Sequence, residues 1–408
     1  MRVDDGVRKQ PALQSRAVGL REELALQPRE VGGRENSALR SREAGVEEVG
    51  YGYETVPMLK QPKWGWEIAL YFFCEGISSG AYVLATLAEL FGRGRFRRLS
   101  RAGYLTSLAT LLPCPPLLIA DLGRPERFHH MLRVFKPSSP MNLGAWALSG
   151  YSAAVAANAA KQVLMRSQQP QLAAPQVSRS INRLSTSGQQ PSPPTQPLLT
   201  DGSAHEENTV VALMRSPVVG ALGLPFAMTM LSYPGVLLAT TSTPVWSKSR
   251  FLGALMATSS ISTGAAATSL ALALTANGDR GSSAVFAKNS TAALAEVRAL
   301  AKIETTARVA EGAALAAYMI SEGDAARPLT NGDHKWHFWL GAVGAGLVLP
   351  VVIAKSSKSR TANAIGSTLT LLGGLALKWA ITHAGKKSAL DNKAARAATR
   401  PSTSAPGW

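Results

Sequence analysis

The run Trp64-Gly65-Trp66-Glu67-Ile68-Ala69-Leu70-Tyr71-Phe72-Phe73-Cys74-Glu75-Gly76-Ile77-Ser78-Ser79-Gly80, which continues apolar to Phe91, decides the fold class. A helix crossing a bilayer core of about 30 Å needs about 20 mainly apolar residues, and this run supplies them. Trp64 and Trp66 stand where interfacial aromatic anchors belong. Glu67 and Tyr71 are four apart and share a helix face just below that surface. Glu75 lies deeper, where a carboxylate is harder to explain by contact with water. Gly76 and Gly80 form a small-xxx-small pair that lets a second helix approach closely.

Working outward, the pattern repeats. Candidate spans are 65–91, 103–121, 143–164, 216–241, 251–275, 293–320, 337–355 and 363–385. The expected fold is therefore an all-α integral membrane protein with eight transmembrane helices, arranged as two four-helix bundles. Composition agrees: of 408 residues 46% are hydrophobic and 17% charged, against a soluble norm of about 25% charged. Two cysteines exclude a disulfide scaffold, a Cys-ligated iron–sulfur cluster and a structural zinc site made by this protein alone. The net charge of +17 lies beyond residue 50 and mostly in short segments between apolar runs. That is a topology signal rather than a nucleic-acid surface.

Residues 1–57 are polar, lack the apolar core of a secretory signal, and are expected to be a disordered extension. Met58 is an alternative start. Spans 1–3 occupy 58–166 and spans 4–8 occupy 210–386, leaving 387–408 as a polar tail. The intervening 167–209 is rich in Gln, Ser and Thr, with six prolines from Pro170 to Pro197, and reads as a disordered cytoplasmic linker. Arg93, Arg95, Arg97, Arg98 and Arg101 make the loop after span 1 the strongest cytoplasmic signal, which places both termini outside. The next loop, with Arg124, Arg127, Arg133 and Lys136, runs against this bias, a hint that those residues have another task.

Charged residues inside spans mark inner helices, because at membrane depth they must face protein or water. Span 6 carries Glu304, Arg308 and Glu311 on one face, and span 8 carries Lys378. The first three read either as a structural ion network or as a proton route. Span 2 ends in Pro113-Cys114-Pro115-Pro116, which breaks a helix and frees carbonyls. Asp121 and Arg124 follow at i and i+3, either as a helix-end ion pair or as a proton-taking carboxylate at a pocket mouth.

The segment Asp121-Leu122-Gly123-Arg124-Pro125-Glu126-Arg127-Phe128, followed by Pro137-Ser138-Ser139-Pro140-Met141-Asn142-Leu143-Gly144-Ala145-Trp146, resembles the NrfD / polysulfide reductase membrane-subunit (PsrC-like) family. Tyr233-Pro234-Gly235, Pro244-Val245-Trp246 and Leu372-Gly373-Gly374 through Lys378 extend the resemblance, which covers roughly 60–385. It implies a quinol-interacting subunit of a respiratory oxidoreductase complex in the bacterial inner membrane. The bound substrate would be menaquinone or ubiquinone. The implied partners are a ferredoxin-like iron–sulfur subunit and a molybdopterin catalytic subunit. Carried over by position, Tyr71, Glu67 and Tyr233 would contact the quinone, with Asp121 and Arg124 from the signature beside them. Tyr71 stands where the family can place His, which weakens direct proton acceptance there. Asp121 and Glu67 are the expected proton acceptors.

The residues themselves point away from haem. Of six histidines only His383 falls clearly within a span, so paired axial ligands are not expected, nor a metal site. A passive membrane anchor of such a complex is the competing reading. A secondary transporter fits the broken helices and buried charges but not the 121–146 segment.

Overall fold

A computed structural model describes residues 59–185, 216–278 and 286–392, apart from 93, 248, 333 and 358. The extension 1–57, most of the linker and the end of the tail lie outside the described residues. Every regular element among the described residues is helical. In sequence order the main helices are α1 (Trp66–Phe91), α2 (Arg97–Leu111), α3 (Cys114–Asp121), α4 (Pro140–Ser185), α5 (Val218–Ala239), α6 (Leu252–Gly278) and α7 (Phe286–Glu322). A π-helical segment, His337–Val348, then runs into α8 (Leu349–Ser356), and α9 (Arg360–Ser388) closes the series.

Among the described residues, five helical stretches are long and apolar enough to cross a membrane: Trp66–Phe91, Arg97–Asp121, Val218–Ala239, His337–Ser356 and Arg360–Ser388. The other three expected spans coincide with α4, α6 and α7. Their apolarity is diluted for visible reasons: α6 carries Ser259, Ser260, Ser262, Thr263 and Thr268, and α7 carries the charged residues noted above.

α1 and α6 are the inner helices. α1 packs on α2, α3, α5, α6 and α9, while α6 also packs on α2, α5, α7 and α9. In the most apolar window of α1, 83% is buried, against 22% for His337–Ser356 on the periphery. The glycine pair of α1 faces α6: a Cβ on Gly80 would overlap the Ser260 carbonyl group, and one on Gly264 would lie 2.6 Å from the Gly80 carbonyl carbon. Backbone-to-backbone approach at this crossing is open only to glycine. The turn into α2 uses Gly94 at φ 79°, the left-handed region that side chains avoid.

These contacts fix directions. α1 and α6 run in parallel, since Gly76 meets Ser260 and Gly80 meets Gly264. α7 and α9 run the other way: Tyr318 donates to the Val245 carbonyl, Val245 N–H donates to Ser388, and Glu296 accepts from Arg98 N–H. One end of the bundle therefore gathers Trp64, Trp246 and Ser388, and is termed the Trp face. The other gathers Arg97, Arg98 and Glu296, and is termed the Arg face.

Two expectations change. The three-proline segment interrupts the second span only at Leu112–Pro113. α3 resumes at Cys114 with its prolines in the first turn, where no intrahelical N–H is needed, and Leu117 N–H bonds the Pro113 carbonyl. Further on, α4 continues to Ser185, so the first part of the expected linker is helical. No glycine occurs between Gly150 and Ser185, and the Ala, Gln, Leu and Arg there are good helix formers that outweigh two prolines.

Candidate functional site

At the Trp face, α3 ends on Asp121, whose Oδ1 accepts from the Gly65 N–H at 3.1 Å. Gly65 is the residue before α1, so this carboxylate ties the start of the first helix to the end of α3 and satisfies a donor that the helix cannot. Glu67 folds back over Gly65. Asp121 and Glu67 are thus brought together, both half-buried. Arg124 is not part of the group. The backbone turns extended at Leu122, and Arg124 follows at φ −140°, ψ 83°, so no helix exists to hold an i, i+3 pair. Arg124 is exposed, and no ion pair joins it to Asp121 among the described residues.

One turn below Glu67, Tyr71 is 2% exposed. Tyr233, from α5, lies within electrostatic range of it, as do Glu75 and Cys114. The Tyr233 ring lies over the Cβ-free backbone of Gly144, and its hydroxyl donates to the Pro140 carbonyl at 3.2 Å. Glycine at 144 is what admits the ring. This joins α5 to the start of α4 within the segment that carries the family resemblance.

Glu75 completes the line. Glu67, Tyr71 and Glu75 occupy i, i+4 and i+8, one stripe descending α1 from the Trp face. Glu75 is fully buried, and neither of its carboxyl oxygens has a hydrogen-bond partner among the described residues. A buried polar group in this state costs several kcal/mol unless something met only in function completes it. Tyr71, Tyr233 and Glu75 therefore form a polar group in an apolar wall.

The second-half charges also come together. Arg308 pairs with Glu304 at 2.6 Å and donates to Thr370 at 2.9 Å, while Ser367 donates to the other Glu304 oxygen at 3.3 Å. Glu311 is buried one turn nearer the Trp face, within electrostatic range of Arg308 and Lys378. This set is separate from the tyrosines, in the part of the bundle built by α6, α7 and α9.

Several groups escaped sequence reasoning. Near the Arg face Lys161 is ion-paired to Glu89, which also accepts from Tyr104 at 2.9 Å. Midway, Ser78, Ser107 and Tyr151 close a triangle of hydroxyls 2.8 to 3.1 Å apart. Near them, Asn158 donates to the Tyr82 hydroxyl at 2.9 Å. A charged residue inside an apolar run was the available signal for Glu89 and Lys161. Trp64 also changes role: it stacks at 5.4 Å on buried Trp246, whose Nε1–H donates to the Ile381 carbonyl, so it is a packing residue as well as a surface one. His383 lies on Trp379 at 4.5 Å with His334 5.1 Å away. Among the described residues no group of three or more His, Cys, Asp or Glu side chains could hold a metal ion.

Comparison with known proteins accords with this architecture. The family described as "Polysulphide reductase, NrfD" matches residues 55–388. The C component of the selenate reductase of Mesobacillus selenatarsenatis is 28% identical over 100 residues, 24% of this protein and 23% of that one. The C component of the polysulfide reductase of Wolinella succinogenes is 35% identical over 91 residues, 22% of this protein and 29% of that one. The aligned stretches thus span less than a third of either relative. The family match is far broader, taking in every main helix from α1 to α9: this multi-pass helical membrane protein belongs to the NrfD polysulphide reductase family.

Proposed function

We propose that this protein is the quinol-interacting membrane subunit of a respiratory oxidoreductase complex in the bacterial cytoplasmic membrane. It would cross the membrane eight times and pass electrons between membrane quinol and a ferredoxin-like iron–sulfur subunit, with a molybdopterin subunit beyond. The observation that carries the reading is the stripe Glu67–Tyr71–Glu75 with Tyr233 opposite, a polar group of the right chemistry enclosed by apolar helices. The relatives' names, components of a polysulfide reductase and of a selenate reductase, support membership of such a complex.

Menaquinone or ubiquinone would supply two electrons and two protons when bound as the quinol. The residues' tasks follow from their positions. Tyr71 and Tyr233 would orient the head group by hydrogen bonds. Asp121 and Glu67, half-buried at the Trp face, would pass a proton towards that surface. The neighbouring apolar side chains of α1, α3 and α5 would hold the ring and tail.

The test is quinol-dependent reduction of the iron–sulfur partner in membranes carrying single variants. Asp121→Asn keeps an oxygen to accept from Gly65 N–H, so the helix start is preserved while proton acceptance is lost. A fall of about a hundredfold or more in rate with normal assembly is the expected outcome for a general base. Wild-type rates for Asp121→Asn, Tyr71→Phe and Tyr233→Phe alike would overturn the pocket and leave a passive anchor.

A further inference from the structure

Far from the tyrosines, a cleft of about 30 Å³ is lined by Glu304, Thr305 and Arg308 of α7, Ala354 of α8, and Asn363 and Ser367 of α9. Ala354 stands close to the end of α8 and Asn363 in the first turn of α9, so the cleft belongs to the Arg-face end of the bundle. Thr305 and Ala354 are exposed, so it opens on the outer side of the helices. Arg308 is 4% exposed, and its Nη2 serves Glu304 and Thr370. Its Nε–H is buried with no hydrogen-bond partner among the described residues. A buried donor left in this state is unfavourable, and a ligand oxygen in the cleft would complete it.

Cations surround the opening. Arg298, Lys302 and Thr305 stand at i, i+4 and i+7 on α7, so the two cations continue the stripe on which Thr305 lines the cleft. Arg360, Asn363 and Ser367 share a stripe of α9 in the same way, and Lys355 follows Ala354 on α8. All four cations are exposed, and none is ion-paired among the described residues. No exposed carboxylate offsets them: Glu296, Glu304, Glu311 and Glu322 of α7 are buried, and α8 and α9 contain no Asp or Glu. Further from the Arg face, the same three helices expose Val309, Val352 and Ile365. A charged end above an apolar flank is the profile of a phospholipid, with its phosphate at the cations and its chains along the helices. Pairing within the bundle accounts for Glu304 and Arg308 but leaves the unmet Nε–H and the unbalanced cations unexplained.

The cleft narrows the choice of headgroup. About 10–15 Å³ admits one water-sized group, so this cleft admits about two heavy atoms and is too small for a phosphate. Glu304 and Arg308 cancel inside it, so it suits a neutral group that both donates and accepts, which is a hydroxyl. We propose that this site binds phosphatidylglycerol, with its phosphate held by Arg298, Lys302, Lys355 and Arg360. The terminal hydroxymethyl of its headgroup enters the cleft and accepts from Arg308 Nε–H. The site is separate from the tyrosines and independent of the quinol reading.

The test is lipid titration of the full-length protein, purified in detergent, with bound lipid counted by native mass spectrometry. Three lipids with the same chains are compared: phosphatidylglycerol, phosphatidylmethanol, which has the same charge and no headgroup hydroxyl, and zwitterionic phosphatidylcholine. Phosphatidylglycerol should bind at least tenfold more tightly than phosphatidylcholine and severalfold more tightly than phosphatidylmethanol. Lys355→Gln/Arg360→Gln, two exposed positions, should weaken phosphatidylglycerol about tenfold or more and leave phosphatidylcholine unchanged. Asn363→Leu, which fills the cleft, should bring phosphatidylglycerol down to the level of phosphatidylmethanol. Arg95→Gln/Arg97→Gln, at the same face but away from the cleft, should change nothing. Equal binding of phosphatidylglycerol and either other lipid overturns the proposal. So does unchanged binding in Lys355→Gln/Arg360→Gln, or an equal loss in Arg95→Gln/Arg97→Gln, which would show diffuse attraction to a basic surface.

Discussion

At the scale of single residues, this bundle keeps charge in its interior by pairing, and the pairs differ in how much they tolerate. Lys161 is 2% exposed and holds Glu89, itself 19% exposed, which also accepts from Tyr104. Removing one partner strands the other in a poorly solvated place, which costs about 3–5 kcal/mol. Lys161→Met should therefore lower the unfolding midpoint in detergent markedly. The double variant Lys161→Met/Glu89→Gln should recover part of the loss, because no charge is then left alone; a double variant as unstable as the single would contradict the pairing. Sequence made some of the site legible at this scale. Glu67, Tyr71 and Glu75 stand at i, i+4 and i+8, and their common stripe follows from helix period alone. Arg124 misled, because the helix that an i, i+3 pair requires ends at Asp121 and the backbone is extended at Leu122.

At the scale of elements, what positions the site is close helix crossing. α1 and α6 touch backbone to backbone at Gly80 and Gly264, and this crossing brings α6, and with it Ser259 and Ser260, against the Glu75–Gly76 turn. Gly80→Ala would push a methyl into the Ser260 carbonyl, at an overpacking cost of about 1–3 kcal/mol. A contrasting position is Gly312 in α7, where a Cβ meets nothing within 4 Å. Gly312→Ala should stabilise by up to about 1 kcal/mol through helix propensity. Midpoints that move in opposite directions for these two alanines are the expected result, and a neutral Gly80→Ala would refute the crossing. The existence of the helices was legible from apolar runs, and their ends came within a few residues for α1, α5 and α6. Their rotation about their own axes was not. A helix that is apolar nearly all round carries no amphipathic signal of which side faces which neighbour. Hence Ser78, Ser107 and Tyr151, from three helices, could not be assembled from the sequence, nor could Lys378 be placed beside Gly76.

At the scale of the whole molecule, the question is which end of the bundle faces the cytoplasm. The contacts set α1 and α6 running from the Trp face to the Arg face, with α7 and α9 returning. Arg95, Arg97, Arg98 and Arg101 then stand together at one end, in the turn and the first residues of α2. Short basic loops are retained on the cytoplasmic side, so the Arg face should be cytoplasmic and the Asp121–Tyr71 end should open outward, where an extracytoplasmic iron–sulfur protein would dock. The loop with Arg124, Arg127, Arg133 and Lys136 is basic, exposed and at the Trp face, against the rule. Four charges there do not outweigh the first loop, because the earliest helix usually sets orientation. Reporter fusions decide the matter. A reporter active only after export, fused at Ser185, the last residue of α4, should be silent. The same reporter fused at Asn331, between α7 and the π-helical segment, should be active. The reverse pattern would invert the bundle and carry the tyrosine site to the cytoplasmic side. Activity at both positions would mean that the helices between them do not cross as the contacts imply.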